Sequence, residues 1–225
     1  MEGMRAFKGA VFDMDGLLLD SERIWEQAQI TVFLELGLDL TMEMQRATTG
    51  IRMAECFGLW GGFFPGVTLD RMRIRERLLE LVGTGVRTTG VIKPGAKRAL
   101  DLCLSAGCRL GLASSSPPEI IAAGLERLGA TDMFHVAVSS EMETLGKPDP
   151  AVYLTAAARM GVLPEDCIAF EDSVPGVRAA KAAGMFTVAV PEEHNIGRAE
   201  YGIADRTITT LEAFNAGFLA VSRNA

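Results

Sequence analysis

From Lys93 onward, short uninterrupted apolar runs alternate with stretches whose apolar residues keep helical spacing. Apolar runs this brief, without polar alternation, mark strands buried on both faces. The pattern predicts strands over 109–113, 135–138, 167–170 and 186–190, then a weaker one over 206–208 followed by a last helix. Between them it predicts a helix from Pro94-Gly95 to near Gly107, and one capped by Ser116, with Pro117 in its first turn and Gly129 beyond its end. A third helix runs from about Pro150 to Met160 and stops at Gly161, and a fourth begins at Ser173 and Pro175 and ends at Gly184. Alternation of this kind builds a parallel α/β sheet. Gly9-Ala10-Val11-Phe12 supplies one more buried strand near the start.

Residues 19–90 break the rhythm. Ile24, Trp25, Ala28 and Ile30, and later Met72, Ile74, Leu78 and Leu79, recur at helical spacing. The expectation is therefore an α/β core made of residues 1–18 and 91–225, with a helical cap over 19–90 inserted after the first strand. The glycines from Gly83 to Gly90 predict a turn-rich return linker. Arg71, Arg73, Arg75 and Arg77 fall on two faces of a helix and read as solvated surface.

Composition narrows the class. The 225 residues are 48% hydrophobic and 23% charged, which suits one globular domain with an insertion. With 22 basic and 29 acidic residues the net charge is −7, so no basic field is available for nucleic acid or an anionic membrane. A phosphorylated ligand would need local positive charge or a metal ion. Cys56, Cys103, Cys108 and Cys167 include no Cys-x-x-Cys pair, and only His135 and His194 could join them, so they read as core filler rather than a zinc site. The start, Met1 to Arg5, lacks an apolar signal core, and no apolar stretch reaches membrane-spanning length. The reading is a reduced, cytoplasmic, soluble protein, expected as a monomer.

The candidate chemistry starts where the first strand ends. Asp13 and Asp15 stand one residue apart, just before Gly16, at the carboxyl end of that strand. Ligands of open α/β sheets bind at that end. On this segment alone, an Asp-Gly turn that stops a strand serves equally well. Three other strand ends add Ser114-Ser115-Ser116, Gly146-Lys147-Pro148 and Glu171-Asp172. Singly these read as a helix cap, a surface charge and acids at a helix start. Together they place acids, a hydroxyl and a lysine in one pocket. Clustered carboxylates repel unless a divalent cation neutralises them, and their oxygens suit Mg²⁺. Cation, lysine, hydroxyl and turn amides would together hold a phosphoryl group.

In that order, Asp13-Met14-Asp15-Gly16, Ser114, Lys147-Pro148 and Glu171-Asp172-Ser173 resemble the four motifs of the haloacid dehalogenase superfamily. The helical insertion resembles the cap of its beta-phosphoglucomutase-like branch. The segments Asp13 to Glu22, Gly111 to Pro117 and Glu171 to Val174 are similar to bacterial hexitol (2-deoxyglucose-6-phosphate) phosphatases. The resemblance implies a Rossmann-like core and a Mg²⁺-dependent phosphatase acting on a small sugar or polyol phosphate. It implies Asp13 as nucleophile and Asp15 as acid and base. Mg²⁺ would be held by the Asp13 side chain, the Asp15 carbonyl and the Asp172 side chain, with Glu171 bound directly or through water. Ser114 and Ser115 would hydrogen-bond the phosphoryl group, and Lys147 would neutralise it. The alternatives are a phosphohexomutase and a binding module without turnover. A mutase of this pattern carries Gly-x-x-Arg in the cap to grip a second phosphate; here Gly50-Ile51-Arg52-Met53 places the arginine one position early, and Arg52, pointing inward, is kept as a candidate substrate-binding residue. Trp25, Trp60, Phe63 and Phe64 read as packing residues, with Trp60 the best of them for contact with a sugar.

Overall fold

The structure is a computed structural model, and it describes residues 4–48 and 51–222. Six parallel strands form the central sheet: β1 (Gly9–Phe12), β2 (Arg109–Ser114), β3 (Val136–Ser139), β4 (Cys167–Glu171), β5 (Phe186–Ala189) and β6 (Arg206–Thr207). Their order across the sheet is β3-β2-β1-β4-β5-β6, every neighbouring pair parallel. The first strand is therefore central, and the direction of winding reverses beside it. That reversal opens a crevice at the carboxyl ends of β1, β2 and β4.

Both faces of the sheet are covered. Ala10 and Phe12 point into one core, with Leu112, Ile168 and Phe170, while Val11 points into the other, with Ala113, Val138, Val152 and Tyr153. Phe12 stacks on its register partner Phe170 at 4.5 Å, and Phe214 meets Phe170 edge-on at 4.8 Å. Aromatic pairs at these distances add to the burial energy.

The chain leaves β1 through a turn at Gly16, whose φ is +84°. Residues Leu19–Asp20 then pair antiparallel with Val91–Ile92, so the outgoing and returning chains cross side by side. Between these crossings lie four helices: α1 (Glu22–Glu35), α2 (Met42–Arg46), α3 (Met53–Phe63) and α4 (Arg71–Thr89). No linker is found over 83–90, because α4 runs unbroken to Thr89. Gly85 within it answers to packing: a Cβ there would fall 2.6 Å from Ile24 Cγ2 on α1. The arginine run divides as helical geometry requires, with Arg77 on Glu35 and Glu80, and Arg75 reaching Glu119 and Glu141 of the core.

Four helices surround the sheet: α5 (Ala96–Ser105), α6 (Pro118–Leu128), α7 (Ala151–Met160) and α8 (Val174–Ala182). The expected last helix is replaced by two short 3₁₀ turns, Leu211–Ala213 and Ala216–Leu219, and a strand Ala220–Ser222 paired with Met4–Ala6. Leu211, Phe214 and Leu219 are all buried, and the Thr210 hydroxyl accepts from the Glu212 N–H, which favours tight turns over a continuous helix.

Candidate active site

Asp13 follows β1 directly, and its own N–H donates to Phe170 O at 3.1 Å, fixing it between β1 and β4. Its side chain is buried, with Lys147 Nζ 2.6 Å from Oδ1. Lys147 arrives on the loop before α7, with 4% of its side chain exposed. Its ammonium also donates to Ala113 O at 3.1 Å and to Glu171 Oε1. One cation therefore clamps two buried carboxylates.

Glu171 is completely buried and all its oxygens are used. Beyond Lys147, it accepts from Tyr153 Oη at 2.8 Å, and from both the N–H and hydroxyl of Ser173 at 3.0 Å. A carboxylate with this many donors is a fixed structural anion. Asp172, the next residue, turns the other way. It is half-buried at the cavity floor, and no donor reaches its carboxylate among the described residues. Its carbonyl accepts from Tyr201 Oη at 2.6 Å.

Asp15 is held by hydroxyls instead of cations. Ser116 Oγ donates to Oδ2 at 2.8 Å, Ser114 Oγ donates to it at 3.3 Å, and Ser21 Oγ donates to Oδ1. Ser116 is therefore not the cap of α6. Pro117 occupies that position and the helix begins at Pro118, because a residue before proline is disfavoured in helical backbone. The adjacent prolines are the signal that could have moved the helix start and freed the Ser116 hydroxyl for Asp15. Ser21 precedes α1 without capping it, since its hydroxyl goes to Asp15.

Above these groups lies a cavity of about 420 Å³. Its floor includes Asp13, Asp15, Ser115, Ser116, Lys147 and Asp172, and its helical wall includes Trp25, Gln29, Thr48 and Trp60. Ser114 and Glu171 stand behind this lining, both fully buried. Arg52 points elsewhere. Its guanidinium pairs with Glu55 and donates to the carbonyls of Ser140 and Glu143 at 3.3 and 3.0 Å, tying α3 to the core. Gly50, which opens its motif, lies outside the described residues.

Electrostatics set the character of the floor. Burial pushes the Asp13 carboxyl up to about 8, with Lys147 opposing and with Glu171 and Asp15 adding to the rise. Burial likewise raises Asp172, reinforced by Glu171 and Asp13. Oxygens of Asp13, Glu171 and Asp172 lie within 4.8 Å of one another. A hard divalent cation such as Mg²⁺ fits the Asp13 and Asp172 members of this set, since their ligand atoms are oxygens and no described residue donates to the Asp172 carboxylate.

Comparison with known proteins identifies the family. The model of the haloacid dehalogenase-like hydrolases matches residues 7–184. Hexitol phosphatase B of Escherichia coli (strain K12) is 35% identical over 217 residues, covering 96% of this chain and 98% of that protein. Beta-phosphoglucomutase of Bacillus subtilis (strain 168) is 30% identical over 214 residues, covering 91% and 92%. A mutant CbbY from Rhodobacter sphaeroides, solved in complex with xylulose-(1,5)bisphosphate, superposes with a TM-score of 0.84 at 25% identity, over 92% of this chain and 96% of that one. The chain belongs to the haloacid dehalogenase-like hydrolase family.

Proposed function

We propose that this protein is a phosphatase that hydrolyses small sugar or polyol phosphates through an aspartyl phosphate on Asp13. The observation that carries the reading is the Asp13 carboxylate, clamped by Lys147 at 2.6 Å on the floor of a cavity that also presents Asp15 and Asp172. An Asp13 oxygen bonds to phosphorus as the ester P–O bond breaks, and Asp15 delivers a proton to the departing sugar oxygen. Asp15 then takes a proton from the water that attacks the acyl phosphate, releasing inorganic phosphate and restoring Asp13. The Ser116, Ser114 and Ser21 hydroxyls fix the Asp15 carboxylate, which supports its role in moving that proton. Lys147 offsets charge on the phosphoryl oxygens and orients Asp13; Ser115, on the turn after β2, would donate to those oxygens, while the Ser114 hydroxyl expected to do so is buried behind the lining and serves Asp15 instead.

Asp13 and Asp172, with the Asp15 carbonyl, would hold Mg²⁺, which when bound neutralises negative charge on the phosphoryl group. Glu171 serves by positioning Lys147. The helices over 19–90 act as the cap that excludes water and selects the sugar. The engagement of Arg52 by Glu55 and by core carbonyls supports hydrolysis over a mutase, which needs a free cation for a second phosphate.

A phosphate-release screen across sugar and polyol phosphates, with and without Mg²⁺, tests the reading. Steady Mg²⁺-dependent release that Asp13→Asn abolishes is the expected result. Isomerisation of a hexose 1-phosphate without release would establish a mutase, and substantial turnover by Asp13→Asn would refute the nucleophile.

A further inference from the structure

Arg52 stands just before α3, in the helical insertion, yet the carbonyls it binds belong to the core. Its Nη1 donates to Ser140 O at 3.3 Å and to Glu143 O at 3.0 Å, bridging the first turn of the segment that leaves β3. Further along that segment its stem lies against Gly146, where a Cβ would fall 2.7 Å from Nε, 3.0 Å from Cδ and 3.2 Å from Cγ. The next residue is Lys147. One side chain therefore meets the segment at its start and at its end. Glu55 holds the guanidinium in place, accepting from Nε at 3.0 Å and also from Nη2, and 12% of the arginine side chain is exposed.

The segment has little else to fix its path. Met142 and Leu145, its large apolar side chains, are 65% and 56% exposed, so burial does not anchor them. Among the described residues, the side-chain hydrogen bonds that reach 140–146 from beyond β3 come from Arg52 and from Arg75 of α4, which meets Glu141. Both arginines belong to the insertion. The three donors of the Lys147 ammonium are taken by Asp13, Ala113 O and Glu171. A phosphoryl oxygen must displace one of these bonds, and the backbone under Lys147 then decides where the charge settles. Groups of this kind keep their geometry only when the residues around them are locked.

We propose that Arg52 is a positioning residue: by bracing segment 140–146 from the insertion, it holds Lys147 in reach of both Asp13 and the phosphoryl group. This rests on the phosphatase reading above and gives Arg52 a role that reaches the substrate only through Lys147. Seating the helices on the core and placing the phosphoryl-binding charge thereby become one event.

Arg52→Met keeps the stem over Gly146 and removes every donor, whereas Arg52→Lys returns one cation. Acylation of lysines by an N-hydroxysuccinimide ester, read by mass spectrometry, follows Lys147 without turnover, with Lys181, paired to Asp205, as internal reference. Lys147 should react about 10-fold faster in Arg52→Met, the scale of losing a charged donor, with Lys181 unchanged and Arg52→Lys recovering part of the difference. In the same variant kcat/KM should fall by a similar factor for a hexitol phosphate and for an aryl phosphate, because Lys147 serves the phosphoryl group common to both. An unchanged Lys147, equal acceleration at Lys147 and Lys181, or a kinetic loss confined to the hexitol phosphate would each overturn the proposal. If Arg52→Met does not fold, Glu55→Gln, which loosens the guanidinium without removing it, should move both readouts in the same direction, and no movement would overturn it. Absence of phosphate release by the wild type would refute the phosphatase reading, and the labelling alone would then decide whether Arg52 governs Lys147.

Discussion

Replacing Gly16 by alanine separates what the first turn does for folding from what it does for chemistry. The residue has φ +84°, a left-handed conformation in which an L side chain costs about 1–2 kcal/mol. At roughly 2–4 °C per kcal/mol for a chain of this size, the melting temperature should fall by about 2–8 °C. The larger effect lies across the turn. A Cβ at this position would sit 2.2 Å from Asp172 Oδ2 and 2.9 Å from its Cγ. Ordinary contact needs about 3.5 Å, so the carboxylate must retreat by more than 1 Å. Displacements of that size cost about 100-fold in rate, near 2.7 kcal/mol of transition-state stabilisation. Gly16→Ala should therefore remain folded yet lose about two orders of magnitude in kcat/KM, with a raised Mg²⁺ requirement. Steady-state phosphate release over a Mg²⁺ titration, beside thermal unfolding, measures both. A folded variant with near wild-type kcat/KM at low Mg²⁺ would refute the idea that Asp172 must stay against this turn.

Two further outcomes follow from the buried network. Tyr153→Phe removes one donor from Glu171 and leaves a buried anion less well satisfied; about 1–2 kcal/mol of stability should disappear, and unchanged denaturant unfolding would contradict that. In chelator, stability should fall as pH rises from about 4 to about 8. The folded state keeps protons on Asp13 and Asp172 that the unfolded chain releases near its ordinary carboxylate range, so their contribution is full at low pH and is lost as pH climbs through the raised values. Excess Mg²⁺ should flatten the slope, and a chelated protein growing more stable over that range would show the sign to be wrong.

The convergence of Asp13, Asp15, Lys147 and Asp172 is legible because it depends on strand ends. Apolar runs locate strands, and a parallel sheet gathers their carboxyl ends on one side. What the strand pattern could not distinguish is Glu171 from Asp172, which only the family resemblance set apart. Adjacent residues leaving a strand point to opposite faces, and only the packing of Tyr153 and Lys147 decides which acid becomes the buried anchor. The serine trio hid its roles for a related reason. Ser114, Ser115 and Ser116 are chemically alike, and the one-residue shift that Pro118 imposes on Pro117 determines which hydroxyl meets Asp15. Local propensity also lost to packing within α4, where Gly85, which suggests a turn, is demanded by the close approach of Ile24. At the other end of the chain, Phe214 docking on Phe170 overrode a helical reading.

Charge at the cavity floor also constrains how a substrate can be received. One ammonium, that of Lys147, faces the carboxylates of Asp13, Asp15, Glu171 and Asp172. Lys147 spends its charge on Asp13 and Glu171, and serines provide Asp15 with dipoles rather than with charge. Asp172 is left to a proton, as its raised pKa records, or to a divalent cation. A phosphate ester approaching the deprotonated floor meets net negative charge at short range, where the low-dielectric surroundings magnify repulsion. Protonating Asp172 would relieve it but would remove a cation ligand, and protonating Asp13 would remove the nucleophile. A divalent cation relieves it while keeping both groups ionised. The same burial that destabilises the bare floor thus gives the cation its hold, and ties phosphate affinity to its presence far more tightly than the affinity for an unphosphorylated sugar, which brings no charge to be opposed.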